Sequence, residues 1–555
     1  MEKIWLKSYY SVVPRELEFE KITLPEALTR TANRFPDNPA LYFQGAKITY
    51  QQLEDMVSRF AGALAAMGVQ PGDKVALLLP NLVQTVVATY GALRVGATVV
   101  MNNPLYTDRE LEHQLNDSGS KYLVALDLLV PRMINLRQKT GVTKIVSCHI
   151  RDYLPFLLKM LFPYVKKDMH RKTPAAPDVV EFTDLIKAHA PLARPHKSKW
   201  EETAVLMYTG GTTGVSKGVQ LTHGNISSNV QQSGAWFPDF SPGKEVVVGC
   251  LPFFHSFGMT TAMNISIFYG WADVLIPKPE PAPILEAISK YKATYMPAVP
   301  TLYNGLINFP ALKNYDLTSL RGCFSGGAPM PLETIRRFTE LTGAQICDGY
   351  GLTETSPVTH INPYGAQTKA GTIGVPIPNT DAKLVNVDDY NQEITEIGQP
   401  GELCLKGPQI MKGYINRPEE TAATLRDGWL LTGDIATVDE DGYFTIVDRK
   451  KDMIISGGFN VYPRDVDEVL FAHPKIMEGC VIGVPDQYSG ERIKAFVVLK
   501  DGQTATPEEI IAYCKENLVK YKVPKYVEFV ETLPKSAVGK ILRKELKKME
   551  EEKSK

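Results

Sequence analysis

Tyr208-Thr209-Gly210-Gly211-Thr212-Thr213-Gly214-Val215-Ser216-Lys217-Gly218-Val219 sets four glycines, three threonines, one serine and one lysine behind the apolar, strand-like run 204–208. Such a loop suits an anion. Gly210, Gly211, Gly214 and Gly218 let the backbone approach closely and take positive φ, while the hydroxyls, the exposed N–H groups and Lys217 supply donors and charge. The spacing departs from the Walker A loop, in which Lys is followed at once by Ser or Thr. Here Gly218 follows Lys217 and Ser216 precedes it, so kinase-like or GTPase-like chemistry loses its support. An ordinary glycine turn between a strand and a helix is the plainer alternative, and it gives no reason for the threonines and the serine.

Outward from this loop, apolar strand-like runs alternate with helical segments, as in 74–79, 82–94 and 97–101. The alternation predicts an α/β fold. A chain of 555 residues needs more than one core. A break is expected where 443–447 runs into Asp448-Arg449-Lys450-Lys451-Asp452, five charged residues in a row. Beyond it the pattern reads as compact α+β: a helix over 463–470 started by Pro463, strands over 481–484 and 493–499, and a capped helix start at Thr506-Pro507-Glu508-Glu509. The organisation predicted is a large N-terminal domain of several αβ-layered subdomains over 1–448, with a small hinged α+β domain over 449–555.

The charge balance, 61 basic against 62 acidic side chains, gives no reason to expect a nucleic-acid partner. Seven cysteines stand at 148, 250, 323, 347, 404, 480 and 514 with no CxxC pair, which suggests neither a disulfide framework nor a cysteine zinc site and fits a reducing, cytoplasmic setting. The first residues carry no long apolar core or cleavage site, and the apolar stretch 83–101 is interrupted by Arg94. Neither secretion nor a membrane span is expected.

Further segments share a pattern with the glycine loop: Gly349-Tyr350-Gly351-Leu352-Thr353-Glu354-Thr355, Thr432-Gly433-Asp434, Asp448-Arg449-Lys450-Lys451-Asp452 and Pro534-Lys535-Ser536-Ala537-Val538-Gly539-Lys540. In this order and at these separations they resemble the adenylate-forming superfamily of acyl-CoA synthetases, aryl-CoA ligases, beetle luciferases and peptide-synthetase adenylation domains. The resemblance extends over nearly the whole chain, including Gly72-Asp73-Lys74-Val75-Ala76-Leu77 and Asn103-Pro104-Leu105-Tyr106. It implies ATP, Mg2+ and CoA as cofactor and co-substrates, and adenylation of a carboxylate followed by thioester formation.

Within that reading the phosphates fall to Thr209, Gly210, Gly211, Thr212, Thr213, Gly214 and Lys217. Glu354 suits a hard cation, with Thr209 completing the magnesium site as similar enzymes imply. The alternative for Glu354 is a place in the first turn of a helix, which the dipole favours by up to about 1 kcal/mol. Tyr350 offers a ring face to adenine, between Gly349 and Gly351, with Gly326-Gly327-Ala328 forming the other side of the slot and Thr353 close by. A buried core aromatic is the alternative for Tyr350. Asp434 suits the ribose hydroxyls and Arg449 reaches ribose or phosphate, although Thr432-Gly433-Asp434 alone would be only a turn. Lys540, ahead of a helix expected over 541–548, matches the lysine that bridges carboxylate and α-phosphate during adenylation. Its basic neighbours Lys535, Arg543, Lys544, Lys547 and Lys548 would otherwise read as a solvated face. Lys451 falls at the family's hinge, from which rotation brings Gly457 and Gly458 toward a pantetheine tunnel.

Leu251-Pro252-Phe253-Phe254-His255-Ser256-Phe257-Gly258-Met259 resembles the acyl-site segment in which the histidine adjoins the substrate carboxylate or pyrophosphate; a satisfied core histidine is the alternative for His255. Met259, Met263, Val299, Pro300, Leu302 and Pro357 offer an apolar wall. The overall pattern is most similar to bacterial long-chain fatty-acid CoA ligases, including Tyr208-Thr209-Gly210-Gly211 and Tyr414-Ile415-Asn416-Arg417-Pro418-Glu419-Glu420-Thr421, with Met259 where some of them place a gating tryptophan. The expected function is ATP-dependent, AMP-forming activation of a medium to long fatty acid to acyl-CoA. A ligase for an aryl or other acid, an enzyme loading a separate carrier protein, and a catalytically silent binding relative are the alternatives. Partners are the fatty acid, ATP and CoA, and dimerisation to a homodimer is implied by the family alone. The stretch 150–172 joins apolar bulk to Lys166, Lys167, His170, Arg171 and Lys172, which suits peripheral contact with an anionic membrane at its inner face, while Pro155 and Pro163 argue against one continuous helix and packing on the protein body is an equal rival.

Overall fold

A computed structural model gives the structure of the protein and describes residues 3–209, 216–328, 330–456, 459–486, 490–536 and 541–553, with only the backbone at 459 and 460. Contacts group the chain into two compact units, one of Ser8–Asp381 with Lys406–Gly428, the other of Met1–Lys7, Ala382–Leu405 and Trp429–Lys555.

The larger unit holds two sheets. In the first, Val179–Glu181, Lys144–Cys148, Tyr122–Leu126, Lys74–Leu78, Thr98–Met101 and Thr203–Thr209 run parallel, and Lys217–Thr222 and Gly413–Tyr414 continue the sheet antiparallel. In the second, Gln345–Gly351, Gly322–Ser325, Tyr295–Ala298, Val246–Gly249, Ala272–Leu275 and Pro39–Phe43 run parallel, with antiparallel strands at both edges. Parallel strands covered on both faces read as unbroken apolar runs, which is why 74–79 and 204–208 stand out in the sequence. The helix Val83–Arg94 is buried on every side. Arg94 is tolerable there because its guanidinium donates to Glu54 Oε2 at 2.7 Å and to Thr29 Oγ1 at 3.0 Å. Among the described residues no helix is long and apolar enough to cross a membrane, and all seven cysteines are buried free thiols.

The stretch 150–172 forms a turn at Ile150–Tyr153, a helix at Phe156–Val165 and a second turn at Lys167–Met169. Pro155 precedes the helix and Pro163 lies inside it. No residue of that helix is buried; Phe156 is 78% and Tyr164 75% exposed.

The smaller unit carries an antiparallel sheet that includes Asp381–Val385, Gly401–Lys406, Trp429–Val438 and Phe444–Arg449, so the boundary expected at 448/449 falls inside its last strand. A second sheet of Ile454–Ser456, Phe459–Val461, Gly490–Leu499, Ile476–Asp486 and Tyr526–Phe529 packs with the helices Pro463–Ala472 and Pro507–Asn517 around Val466, Leu470, Ile493 and Ile510. Thr506 caps the latter helix by accepting from Glu509 N at 3.3 Å, the bond its sequence predicts. The last helix runs over Arg543–Lys553, starting two residues and ending five residues later than expected.

Candidate active site

The glycine-rich loop joins two antiparallel strands, with Thr209 directly opposite Lys217. A helix begins only after the second strand, at His223–Ala235, capped by Thr222. The loop is therefore not a turn between a strand and a helix. The expected phosphate contacts Gly210, Gly211, Thr212, Thr213 and Gly214 lie outside the described residues, as do Gly457, Gly458 and Lys540.

Two groups not singled out by sequence stand beside Lys217. Its ammonium forms an ion pair with Glu420 and sits 5.1 Å from the centroid of the Tyr414 ring. Tyr414 arrives because Gly413–Tyr414 pairs with Lys217–Thr222, and that pairing needs Gly218. A Cβ at Gly218 would stand 2.7 Å from Ile415 Cγ2 and 3.0 Å from Tyr208 Cζ. The Tyr414 hydroxyl donates to Glu354 Oε1 at 2.9 Å. Burial first, and then the Glu354 charge, push its phenol well above the ordinary range. Thr209, Lys217, Tyr414 and Glu354 thus form one connected patch.

Glu354 occupies a turn of three residues, Thr353–Thr355, too short to offer the dipole of a developed helix. Its carbonyl accepts from Met411 N at 2.8 Å. Immediately after comes Ser356 with φ of +72°, a left-handed conformation that is uncommon outside glycine. Two bonds hold it there: Thr260 Oγ1 donates to Ser356 O at 2.6 Å, and Ser356 Oγ donates to Gln409 O at 2.9 Å. The bend that presents Glu354 is fixed from both sides.

The remaining residues of this unit gather at the C-terminal ends of the second sheet's parallel strands, where open α/β sheets take their ligands. Gly326, Gly327 and Ala328 follow Gly322–Ser325, while Gly349, Tyr350 and Gly351 end Gln345–Gly351. They touch one another: a Cβ on Gly326 would lie 3.2 Å from Phe257 Cε1 and 3.5 Å from Gly349 O, and one on Gly327 3.6 Å from Val299 Cγ1. Tyr350 is half-buried and meets the His360 ring edge to face at 6.0 Å, so it is not a core aromatic. His255 is also half-buried and opens the helical turn Ser256–Gly258, where its Nδ1 accepts from Phe257 N at 3.3 Å. The chain then enters a wide π turn, Met259–Asn264, with Met259 and Met263 buried. Such turns recur at functional sites.

In the smaller unit Asp434 and Arg449 face each other across adjacent antiparallel strands, Arg449 Nε lying 3.2 Å from Asp434 Oδ1. Gly433, at φ +70°, lets the strand bend ahead of Asp434. Its N–H donates to Glu402 Oε1 at 3.2 Å, and Lys450 Nζ lies 3.0 Å from Glu402 Oε2. Lys451 stands in the turn after Phe444–Arg449. Desolvation first, and then the Arg449 charge, hold its ammonium below the ordinary lysine value.

The donors fit magnesium by kind. Glu354 is a half-buried carboxylate and Thr209 a hydroxyl at a strand end, both oxygen ligands of the type a hard cation takes together with waters and phosphate oxygens.

Comparison with known proteins gives a consistent picture. The pattern of the AMP-binding enzyme family matches residues 28–415, and that of the AMP-binding enzyme C-terminal domain residues 465–540. A long-chain-fatty-acid–CoA ligase of Bacillus subtilis is 46% identical over 557 residues, covering 99% of this chain and 98% of its own. Among solved structures, ATP-bound MatB from Rhodopseudomonas palustris superposes with a TM-score of 0.83 at 29% identity, covering 95% of this chain and 99% of its own. An o-succinylbenzoate CoA synthetase from Bacillus subtilis, in complex with its acyl-adenylate intermediate, superposes with a TM-score of 0.78 at 29% identity and covers 96% and 99%.

Proposed function

Since this chain belongs to the AMP-binding enzyme family, we infer an acid–thiol ligase acting in two steps. The enzyme activates a fatty acid with ATP and passes the acyl group to CoA. A carboxylate oxygen attacks the α-phosphorus and the bond to pyrophosphate breaks; the CoA sulfur then attacks the acyl carbon, the bond to AMP breaks and the thiol proton leaves to solvent. The observation that carries this reading is 46% identity, over nearly the full length of both chains, to a long-chain-fatty-acid–CoA ligase. The patch of Thr209, Lys217, Tyr414 and Glu354 supports it, because it offers a cation, hydroxyls and a carboxylate at one strand end.

The roles of individual residues are proposals. Lys217 and Thr209 receive phosphate oxygens, and the Glu420 ion pair keeps the ammonium in place until an anion replaces it. Glu354 and Thr209 hold Mg2+, which when bound neutralises charge on the phosphate oxygens. Tyr350 stacks on adenine against Gly326-Gly327-Ala328, Asp434 takes the ribose hydroxyls, and Arg449 reaches ribose or phosphate. Gly349, Gly351 and Thr353 shape the same slot. His255 lies at the carboxylate or pyrophosphate, and the buried methionines Met259 and Met263 give the acyl chain an adaptable wall suited to long chains. Lys540 bridges carboxylate and α-phosphate, and Lys451 is the hinge between half-reactions, with Gly457 and Gly458 lining the thiol's approach. Lys540→Ala is expected to abolish adenylation yet spare thioester formation from supplied acyl-adenylate, and Lys451→Pro to do the reverse. Equal loss of both half-reactions in both variants contradicts this division.

The exposed helix Phe156–Val165 supports peripheral contact with an anionic membrane from the cytoplasmic side. Its apolar side chains stand in solvent, with Lys159, Lys166 and Lys167 beside them, a composition suited to an anionic interface. Flotation with anionic vesicles tests it: deletion of 152–167 is expected to abolish binding, and unchanged binding refutes the assignment. A homodimer, implied by the family, is tested by light scattering of the full chain.

A further inference from the structure

Outside the motif residues, three adjacent parallel strands of the first sheet end in ligating side chains. Asp127 follows Tyr122–Leu126, His149 follows Lys144–Cys148, and Glu181 ends Val179–Glu181. His170 joins them just after the turn Lys167–Met169. The side chain of Asp127 is fully buried, with those of His149 at 8% and His170 at 17% exposure. His149 Nδ1 lies 2.8 Å and His170 Nδ1 3.2 Å from Asp127 Oδ2, and all three ligand atoms fall within 4.8 Å of one another.

Two independent details point to a cation. Asp127 Oδ2 takes both imidazoles and Arg171 N at 2.8 Å, whereas its Oδ1 is buried without a hydrogen-bond partner. A carboxylate oxygen stranded in the interior is costly unless something charged satisfies it, which a cation held by both oxygens of Asp127 would do. In addition, His149 Nε2 lies 3.0 Å from Glu181 Oε2. A carboxylate behind the far nitrogen of an imidazole is the arrangement that orients metal-binding histidines. Zinc bonds to nitrogen and oxygen at roughly 2.0–2.2 Å place ligand atoms about 3.3 Å apart in a tetrahedron. The observed 2.8 and 3.2 Å edges need only small shifts, and the third edge, within 4.8 Å, closes when the imidazoles turn onto the ion.

We propose that Asp127, His149 and His170 form a structural divalent-metal site of the zinc class, oriented by Glu181. Nitrogen and carboxylate donors in this ratio favour zinc over magnesium or calcium. Because His149 precedes the helix Phe156–Val165 and His170 follows it, the metal clamps both ends of the segment that carries the exposed apolar side chains. Binding replaces the Nδ1–H of each imidazole with a bond to metal. His149, which faces a carboxylate at each nitrogen, releases one proton, and His170 moves its remaining proton to Nε2.

The test uses the full, untagged chain, stripped with chelator, loaded with zinc and desalted near neutral pH. Elemental analysis is expected to find about one zinc per chain, Co2+ to give the intense visible bands of a tetrahedral site, and proteolysis within 149–170 to slow on loading. His170→Ala is expected to lose the retained zinc and the cobalt bands, and Glu181→Gln to weaken affinity about 10- to 100-fold. Should His149→Ala fail to fold, His170→Ala carries the test, its side chain being the more exposed of the two. Wild-type protein that retains no zinc, or His170→Ala that retains as much as wild type, overturns the proposal and leaves the cluster a hydrogen-bonded ion network.

Discussion

The patch around Lys217 and the helix Phe156–Val165 belong to one unit and handle solvent in opposite ways. Around Lys217 the charged groups are paired in advance: its ammonium with Glu420, Glu354 with the Tyr414 hydroxyl. Along Phe156–Val165 none of the apolar side chains is buried and most, Phe162 excepted, stand exposed. Paired charges that keep some exposure lose little when a stronger anion displaces one partner, because a half-exposed ion pair contributes at most about 1 kcal/mol. Exposed apolar surface has the reverse character. It is costly in water until another apolar phase covers it.

Four variants probe this contrast, ordered by the size of the expected effect. Glu354→Gln removes the charge proposed to hold the cation while keeping an acceptor for Tyr414. Loss of one electrostatic stabiliser of this kind typically lowers turnover by roughly 10²–10³-fold, and steady-state pyrophosphate release at saturating magnesium measures it. A loss below tenfold would mean that Glu354 is not a ligand. Lys217→Ala is expected to weaken the ATP interaction by about 2 kcal/mol, roughly thirtyfold, in line with a charge-assisted hydrogen bond. Isothermal titration with ATP reads it, and unchanged affinity would leave Lys217 as only a structural partner of Glu420.

On the apolar side, Leu157→Lys with Leu161→Lys is expected to lower vesicle partitioning about tenfold, since each leucine contributes roughly 0.5–1 kcal/mol on partial burial. Turnover of a short, soluble acid should not change. If turnover falls while partitioning holds, the helix serves the site and not a surface. The smallest effect is expected from Tyr414→Phe, about 1 kcal/mol for the lost bond to Glu354, seen as a severalfold rise in the KM for ATP at low magnesium. No change would show that Tyr414 contributes its ring to Lys217 and little through its hydroxyl.

The contrast also bears on what the sequence discloses. Thr209, Lys217, Glu354 and Asp434 could be proposed from sequence because their short runs, taken together and in order, resemble one family, whereas Thr432-Gly433-Asp434 alone reads as a turn. Strands such as Lys74–Leu78 and the capped start at Thr506 were legible for a simpler reason: apolar runs and caps are local signals. Glu420 and Tyr414 were not singled out, since their places beside Lys217 and Glu354 arise only when Gly413–Tyr414 pairs with a strand nearly 200 residues earlier. The run 414–421 contained a signal, but its meaning is tertiary. Asp127, His149, His170 and Glu181 were hidden for the same cause, as their spacing follows no metal motif and only the parallel order of three strands unites them. For 150–172 the composition allowed both packing and exposure, and the structure leaves the helix uncovered.

The central claim is an ATP-dependent ligase that joins a fatty acid to CoA through an acyl-adenylate. Release of pyrophosphate and AMP should be measured with ATP and Mg2+ across a series of saturated fatty acids and one cinnamate-type acid, each with and without CoA. Turnover that requires CoA and is greatest with long chains is the predicted result. Adenylation without CoA-dependent turnover would assign the acyl group to another acceptor, and absence of pyrophosphate release from every fatty acid would contradict the account.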